Sequence, residues 1–188
     1  GSANADQLDG GPGNDTLIGG RGADLLLGGD GDDQFIWNPG DGSDVIEGQG
    51  GVDTLVFNGA NVAEMVDLSA NGARLRFFRN VASITMDCDG VERVIFHALG
   101  GGDQVVVNDL TGTSVKEVEV DLAKLDGGGD GQADTVIVNG TANDDHITLS
   151  GSAAGVDVVG LSTSVRVTGG EAALDELVVN AGAGADVI

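Results

Sequence analysis

Tyrosine is absent from this 188-residue chain, aromatic residues make up only 3% of it, and it holds two prolines and one cysteine. So few rings exclude a broad core built on large aromatic side chains. With 40% hydrophobic residues the chain can instead bury a thin core of Val, Leu and Ile. The single thiol, Cys88, closes no internal disulfide and lacks the second cysteine of a CxxC pair. Its setting, Met86-Asp87-Cys88-Asp89, puts acids on both sides that raise its pKa, so it reads as an idle thiol. No stretch approaches the ~18 apolar residues of a membrane span, so no membrane insertion is expected. Basic residues are also scarce, eight against 31 acidic ones, for a formal charge of −23. That balance repels nucleic acid and anionic surfaces and attracts cations.

Catalytic signals are missing too. No GxSxG elbow occurs, and the glycine-rich turns lack the Lys-Ser/Thr ending of a phosphate loop. His97 and His146 stand far apart in sequence, so no zinc pair is expected. The chain is therefore not read as an enzyme.

Glycine is abundant, with 34 residues, and it is periodic. Gly10–Ile18 reads GGPGNDTLI, Gly19–Leu27 reads GGRGADLLL and Gly28–Ile36 reads GGDGDDQFI: three tandem copies of nine residues. Trp37 and Asn38 interrupt the pitch. Pro39–Glu47 (PGDGSDVIE) and Gly48–Val56 (GQGGVDTLV) follow, and Gly1–Asp9 (GSANADQLD) is a weaker copy upstream. Position six is always aspartate: Asp6, Asp15, Asp24, Asp33, Asp44 and Asp53. Position eight is always apolar: Leu8, Leu17, Leu26, Phe35, Ile46 and Leu55. The alternation around position eight marks a short strand with that residue turned inward. The preceding glycines mark a tight turn at positive φ. Each copy is thus expected to be a six-residue turn and a three-residue strand.

Strands this short need neighbours. Stacked in parallel ~4.8 Å apart, they bury one apolar row and bring the aspartates into columns. Two carboxylates ~4 Å apart repel by ~4 kcal/mol at an effective dielectric of ~20. A divalent cation between turns reverses that sign. Calcium suits the donors, because it takes six to eight oxygens and accepts backbone carbonyls. Magnesium wants stricter octahedral geometry, and zinc wants His or Cys.

The pattern GGxGxDxUx, with U a large apolar residue, resembles the RTX (haemolysin-type) calcium-binding repeats. The resemblance covers residues 1–56, with three near-perfect copies and three degenerate ones. It implies an all-β fold, a right-handed parallel β-roll with two repeats per coil. It also implies calcium held between turns on one side of the stack, joining Asp6, Asp24 and Asp44 on one side and Asp15, Asp33 and Asp53 on the other. Carbonyls near Gly11, Gly13, Gly20, Gly22, Gly29 and Gly31 complete the shells, for about three or four ions in all.

Beyond residue 56 the strict nonapeptide fades. Residues 57–188 are read as a β-rich, solenoid-like region of irregular coils, with apolar runs near Val66, Leu75, Ile84, Val94, Val106, Val118, Val136, Ile147, Val158, Val167, Val178 and Val187. Leu122–Leu125 is read as at most one helical turn. Degenerate copies return at Ala98–Val106 (Asp103), Gly129–Thr148 (Asp134 and Asp145) and Ala181–Ile188 (Asp186). These look too widely spaced for a ladder in simple sequence order. Asp134 and Asp145 are the best of them as metal ligands, with a purely structural turn an equal reading. The Asp126–Asp134 loop lacks the ligand spacing of an EF-hand. Half of all basic residues, Arg74, Arg76, Arg79 and Arg93, fall between 57 and 97. Arg74 and Arg76 share a strand face, read as a solvated face neutralising nearby acids or as a contact for a small anion or a polysaccharide.

The expected function is a calcium-binding module that folds on meeting extracellular calcium. It is read as part of a larger secreted or cell-surface bacterial protein, since the pattern breaks off within a copy at Gly184–Ile188. By the resemblance, such chains leave the cell unfolded through type I secretion. The alternatives are an adhesive or glycan-binding solenoid segment, or an accessory domain of a secreted enzyme. Calcium ions, a glycan or surface ligand and the rest of the parent chain are the expected partners.

Overall fold

Position-two alternation of Val, Leu and Ile between glycine turns gives short strands with one buried face. The computed structural model, which describes residues 1–188, is made almost wholly of them. In chain order they are β1 (Gln7–Pro12), β2 (Thr16–Leu17), β3 (Leu25–Asp30), β4 (Gln34–Trp37), β5 (Val45–Gly50), β6 (Thr54–Asn58), β7 (Met65–Asn71), β8 (Arg74–Arg79), β9 (Ile84–Asp89), β10 (Arg93–Leu99), β11 (Gln104–Val107), β12 (Glu117–Lys124), β13 (Thr135–Asn139), β14 (Thr148–Ser152), β15 (Gly155–Val159), β16 (Ser164–Thr168) and β17 (Glu176–Asn180). A 3₁₀ turn at Val81–Ser83 is the one helical piece. The expected helical turn at Leu122–Leu125 is not there: Leu122, Ala123 and Lys124 extend β12.

Two sheets face each other. One is ordered β1-β3-β5-β9-β8-β7-β11-β13-β17 and the other β14-β15-β16-β12-β10-β6-β4-β2. Successive copies alternate between the sheets, so one coil takes two copies, and the pairing is mostly parallel. The register sets like on like: Leu8 pairs with Leu26 and Leu26 with Ile46 in the first sheet, Leu17 with Phe35 and Phe35 with Leu55 in the second. The chain is thus an all-β roll, and its sheets continue from the strict repeats into the irregular coils. Strands of the first sheet are longer than the copies suggest. β1, β3 and β5 each run on into the opening residues of the next copy.

Two antiparallel hairpins interrupt the parallel stack. β7, β8 and β9 form a meander that wedges β8 and β9 between β5 and β7. β14 and β15 cap the far end of the second sheet. The hairpin links are two residues long, Gly72-Ala73 between β7 and β8 and Ala153-Ala154 between β14 and β15, and a nine-residue period cannot anticipate them.

The core is the expected thin seam of aliphatic side chains, including Val66, Val94, Val118, Val136 and Val165. Val106 faces outward, between buried Val105 and Val107. Val187 lies exposed in an isolated bridge with His146. The few rings gather instead of scattering. Trp37 stacks on Phe57 with centroids 4.1 Å apart, Phe57 meets Phe77 at 4.4 Å, and Phe96 packs beside both phenylalanines. Trp37, the residue that breaks the nonapeptide pitch, therefore anchors an aromatic knot beside the first hairpin. Its indole Nε1 donates to the Gly42 carbonyl at 2.8 Å. Cys88 is buried in this seam, and burial, with Asp87 adding to it, pushes its thiol pKa up.

Candidate calcium columns

Each copy places its position-six carboxylate two residues before the inward apolar residue, at the mouth of the strand. Stacking then sets these carboxylates one above another. Asp24 Oδ1 accepts the Asp6 amide at 2.7 Å, and Asp44 Oδ1 accepts the Asp24 amide at 3.0 Å. On the other side Asp33 Oδ1 accepts from Asp15 and Asp53 Oδ1 accepts from Asp33, both at 2.8 Å. Asp6, Asp24 and Asp44 thus stack in one column, and Asp15, Asp33 and Asp53 in another. One oxygen each of Asp24, Asp33, Asp44 and Asp53 is thereby spent on the backbone of the preceding coil.

The second oxygen is not. Oδ2 of Asp15, Asp24, Asp33 and Asp53 is buried and has no hydrogen-bond partner. An unpaired buried charge costs far more than a surface one. These oxygens lean toward the glycine that opens their own copy. A Cβ at Gly19 would sit 2.6 Å from Asp24 Oδ2 and 3.0 Å from Asp44 Oδ2, and one at Gly48 would sit 2.5 Å from Asp53 Oδ2. Position one is glycine because the carboxylate fills the space of a side chain. The next turn residues, Gly11, Gly13, Gly20, Gly22, Gly29 and Gly31, all hold φ between 84° and 128°. That left-handed backbone stacks turn on turn, and Gly13 donates to the Asp30 carbonyl of the next coil at 2.7 Å.

Burial pushes the Asp44 carboxyl up to about 6, with Asp24 and Asp41 adding repulsion against the stabilising Asp24 amide. Asp53 is raised for the same first reason, and Asp33 and Glu92 add to it. Asp6, at the open end, is lowered by its hydrogen bonds to Ser2. Nowhere do three His, Cys, Asp or Glu side chains gather around one point. A cation here has carboxylate pairs and turn carbonyls for ligands, a donor set suited to calcium and unsuited to zinc. The orphaned oxygens fit such an ion.

The columns run beyond the strict repeats. Asp53 donates its amide to Glu92 Oε2 at 2.9 Å, then Lys116 and buried Thr163 take the corresponding places before Val118 and Val165. On the other side Asp44 ends its run, because Met86 of β9 falls opposite it. After the hairpin a new column begins. Glu64 donates to Asp103 Oδ1 at 2.8 Å, Asp103 to Asp134 at 2.7 Å and Asp134 to Asp175 at 3.0 Å. Asp103 Oδ2 is again buried and unpartnered. Burial pushes Asp103 up to about 7, with Asp134 and Glu64 adding repulsion, and Asp134 up to about 6, with Asp175 adding to it.

The expectation that the later copies are too far apart to stack is therefore corrected: coil lengths vary, but the columns re-form. Asp134 and Asp145 do not share a column, since Asp145 donates to Asp186 at 2.9 Å instead. Glu64, Glu92 and Asp175 were missed. All three stand two residues before an inward apolar residue, as in Glu64-Met65-Val66, and only the change from Asp to Glu or a blurred glycine turn hid them.

The head of the second column differs from every other rung. The Glu64 side chain is wholly buried and pairs with Arg79, whose guanidinium is itself 4% exposed. Arg79 also donates to the Val81 carbonyl and lies 5.2 Å from the centre of the Trp37 ring. β8 thus delivers a positive side chain to a carboxylate in the position-six place. Elsewhere on β8, Arg74 binds Glu47 at 2.9 Å and Asp87 at 2.6 Å, and Arg76 binds Asp67 at 3.3 Å and covers Phe78. Both arginines are engaged by acids of their own sheet. His97 and His146 do not meet; His97 Nδ1 bonds Asp121 at 3.1 Å.

Turn glycines, inward apolar rows and stacked carboxylates define the class of protein, a β-roll with cation-binding turns. More particularly, residues 1–35 and 40–61 match the RTX calcium-binding nonapeptide repeat in four copies, so this part of the chain is built of RTX repeats. No curated protein matches the chain. Among solved structures, the chain is similar to the solution structure of the AlgE6R3 subunit from the Azotobacter vinelandii mannuronan C5-epimerase. Identity is 23% over 92% of this chain and 75% of that one, with a TM-score of 0.33. No helix is long and apolar enough to cross a membrane.

Proposed function

We propose that the chain is a calcium-triggered folding module of a larger secreted or cell-surface protein. The observation that carries this reading is the set of buried, unpartnered Oδ2 atoms on Asp15, Asp24, Asp33 and Asp53. In the proposed sites Asp6, Asp24 and Asp44 act on one side, and Asp15, Asp33 and Asp53 on the other. Carbonyls at Gly11, Gly13, Gly20, Gly22, Gly29 and Gly31 complete the shells, for about three or four ions. Asp134 with Asp103, and Asp145 with Asp186, offer further carboxylate pairs. Calcium supplies the charge that lets stacked carboxylates lie in contact; the chain supplies the register. The division at residue 56 is then functional: strict repeats hold the ions, and the later coils extend the stack.

Sites in extracellular modules bind at roughly 10⁻⁴–10⁻³ M, far above cytosolic calcium. Such a chain stays unfolded inside the cell and folds outside. The test is circular dichroism and Trp37 fluorescence during calcium addition and chelation, with calorimetry for stoichiometry. A β-sheet signal that grows with calcium and falls sharply with chelator is expected. A signal indifferent to chelator, or no heat of binding, overturns the reading.

A further inference from the structure

A groove of about 480 Å³ lies across the ends of β4, β6, β10 and β12, away from the aspartate columns. Its lining includes Asn38, Asn58, His97, Asp121, Leu99 and Leu125. The register sets His97 against Asn58 on one side and against Asp121 on the other. Asn58 Nδ2 donates to Asn38 Oδ1 at 3.0 Å. The four polar side chains therefore form one row with a step of ~4.8 Å per strand.

The row is only half used by the protein. The Asn58–Asn38 bond leaves Asn58 Oδ1 and Asn38 Nδ2 free, an acceptor beside a donor. His97 spends Nδ1 on Asp121 and leaves Nε2 free. Asp121 is fully engaged, since its Oδ1 accepts from the Ala123 amide at 3.1 Å and the Thr168 hydroxyl at 3.3 Å. Its position fixes the imidazole. Apolar groups flank the row. Leu125 is 88% exposed, with nothing in the fold to cover it. Leu99 is held at φ 66°, a left-handed conformation that an L side chain rarely adopts, where the pairing of β10 with β12 slips register.

The charged groups of the groove already have partners: His97 Nδ1 lies 3.1 Å from Asp121, and Lys124 Nζ lies 3.8 Å from Asp126. The chain as a whole carries −23, which repels polyanions at long range. Adjacent donors and acceptors, apolar edges and charged groups that already have partners suit a neutral, hydroxyl-rich chain that lies across the strands. We infer that this groove is a binding site for a neutral oligosaccharide, with Asn38, Asn58 and His97 holding its hydroxyls and Leu125 packing on a C–H face. This goes beyond the calcium reading and does not depend on which ions fill the columns.

The test is calorimetric titration of the calcium-loaded chain with maltotriose, cellotriose and chitotriose, and with trigalacturonate as an acidic comparison. Saturable binding of at least one neutral trisaccharide is expected. Losing one hydrogen-bonding partner weakens it about tenfold in Asn58→Ala and in His97→Ala. Leu125→Ala removes an exposed side chain that the fold does not need, so it keeps the test open should the polar variants misfold. It is expected to weaken binding severalfold while Asn180→Ala, on the opposite sheet, leaves binding unchanged. Failure of all three neutral sugars to bind, binding of trigalacturonate alone, or affinity indifferent to Asn58→Ala, His97→Ala and Leu125→Ala each overturns the assignment. Calcium-dependent dichroism is read on every variant, so a failure here is separable from a failure of the calcium columns.

Discussion

The strict repeats and the coil around Glu64 solve one electrostatic problem in two ways. In the repeats, Asp15, Asp24, Asp33 and Asp53 each keep a buried oxygen without a partner, which the proposed function fills with an ion. At Glu64 the chain brings its own cation: Arg79, carried in by β8, pairs with the buried carboxylate. Burial still raises the Glu64 carboxyl, while its bond to Arg79 pulls the other way. An external ion makes folding conditional on the surroundings. A covalently tethered guanidinium makes it unconditional but fixed. On the proposed function, the contrast teaches that a column of acids reads as a calcium switch where no arginine reaches it.

The largest expected effect concerns the two regions directly. With chelator, backbone amides of β3 to β6 should lose nearly all protection from hydrogen exchange, while those of β7, β8 and β10 retain part of theirs; equal loss everywhere would erase the distinction. Next comes Arg79→Met, which strands a buried carboxylate and should cost about 3–5 kcal/mol in urea unfolding with calcium present. The double change Arg79→Met with Glu64→Gln should recover much of that loss.

Asp33→Asn should act with opposite signs in the two conditions. With calcium it removes a charged ligand and lowers stability by about 1–3 kcal/mol; with chelator it relieves repulsion and raises the population of folded chain. A variant destabilised equally in both conditions would show that Asp33 serves only as a hydrogen-bond acceptor.

A milder effect follows from pH. Folding raises Asp44 and Asp134 to about 6 and Asp103 to about 7, from an ordinary value near 3.8. A raised carboxyl stabilises the fold below its unfolded pKa, and that contribution is lost as pH rises through the folded value. Without calcium, the urea midpoint should therefore fall between about pH 4 and pH 8, and calcium should flatten the slope. The smallest effect is at the half-exposed His97–Asp121 pair. His97 is raised by its bond to Asp121, and Asp121 is lowered by the same bond. The pair therefore stabilises between those two values and fades as pH leaves that window on either side. His97→Gln should change stability by no more than about 1 kcal/mol.

Much of this was legible in the residues. Fixed aspartates and inward apolar positions over residues 1–56 specify turn, strand and stacking, because each copy repeats the same local physics. The columns beyond were harder. The coil from Glu64 to Asp103 spans 39 residues because it carries a hairpin, and the step from Asp103 to Asp134 is 31. A nine-residue ruler loses phase across such insertions, although the acid-x-apolar triplet survives at Glu64, Glu92 and Asp175. The groove at His97 was not legible at all. It depends on which strands become neighbours, and β10 meets β6 at a sequence separation of 39, as the Arg93–Thr54 pair shows.

The backbone-to-carboxylate bonds have one further consequence. Within the strict repeats the amides of Asp6, Asp15, Asp24 and Asp33 each donate forward to the carboxylate of the next coil, so these rungs are interchangeable in kind. Removing a whole coil, such as the 18 residues that separate Asp6 from Asp24, leaves compatible surfaces to rejoin. Removing a single residue from a strand would turn its inward side chains outward. Length in this protein is therefore a variable that evolution can edit in whole coils, with the joints already matched.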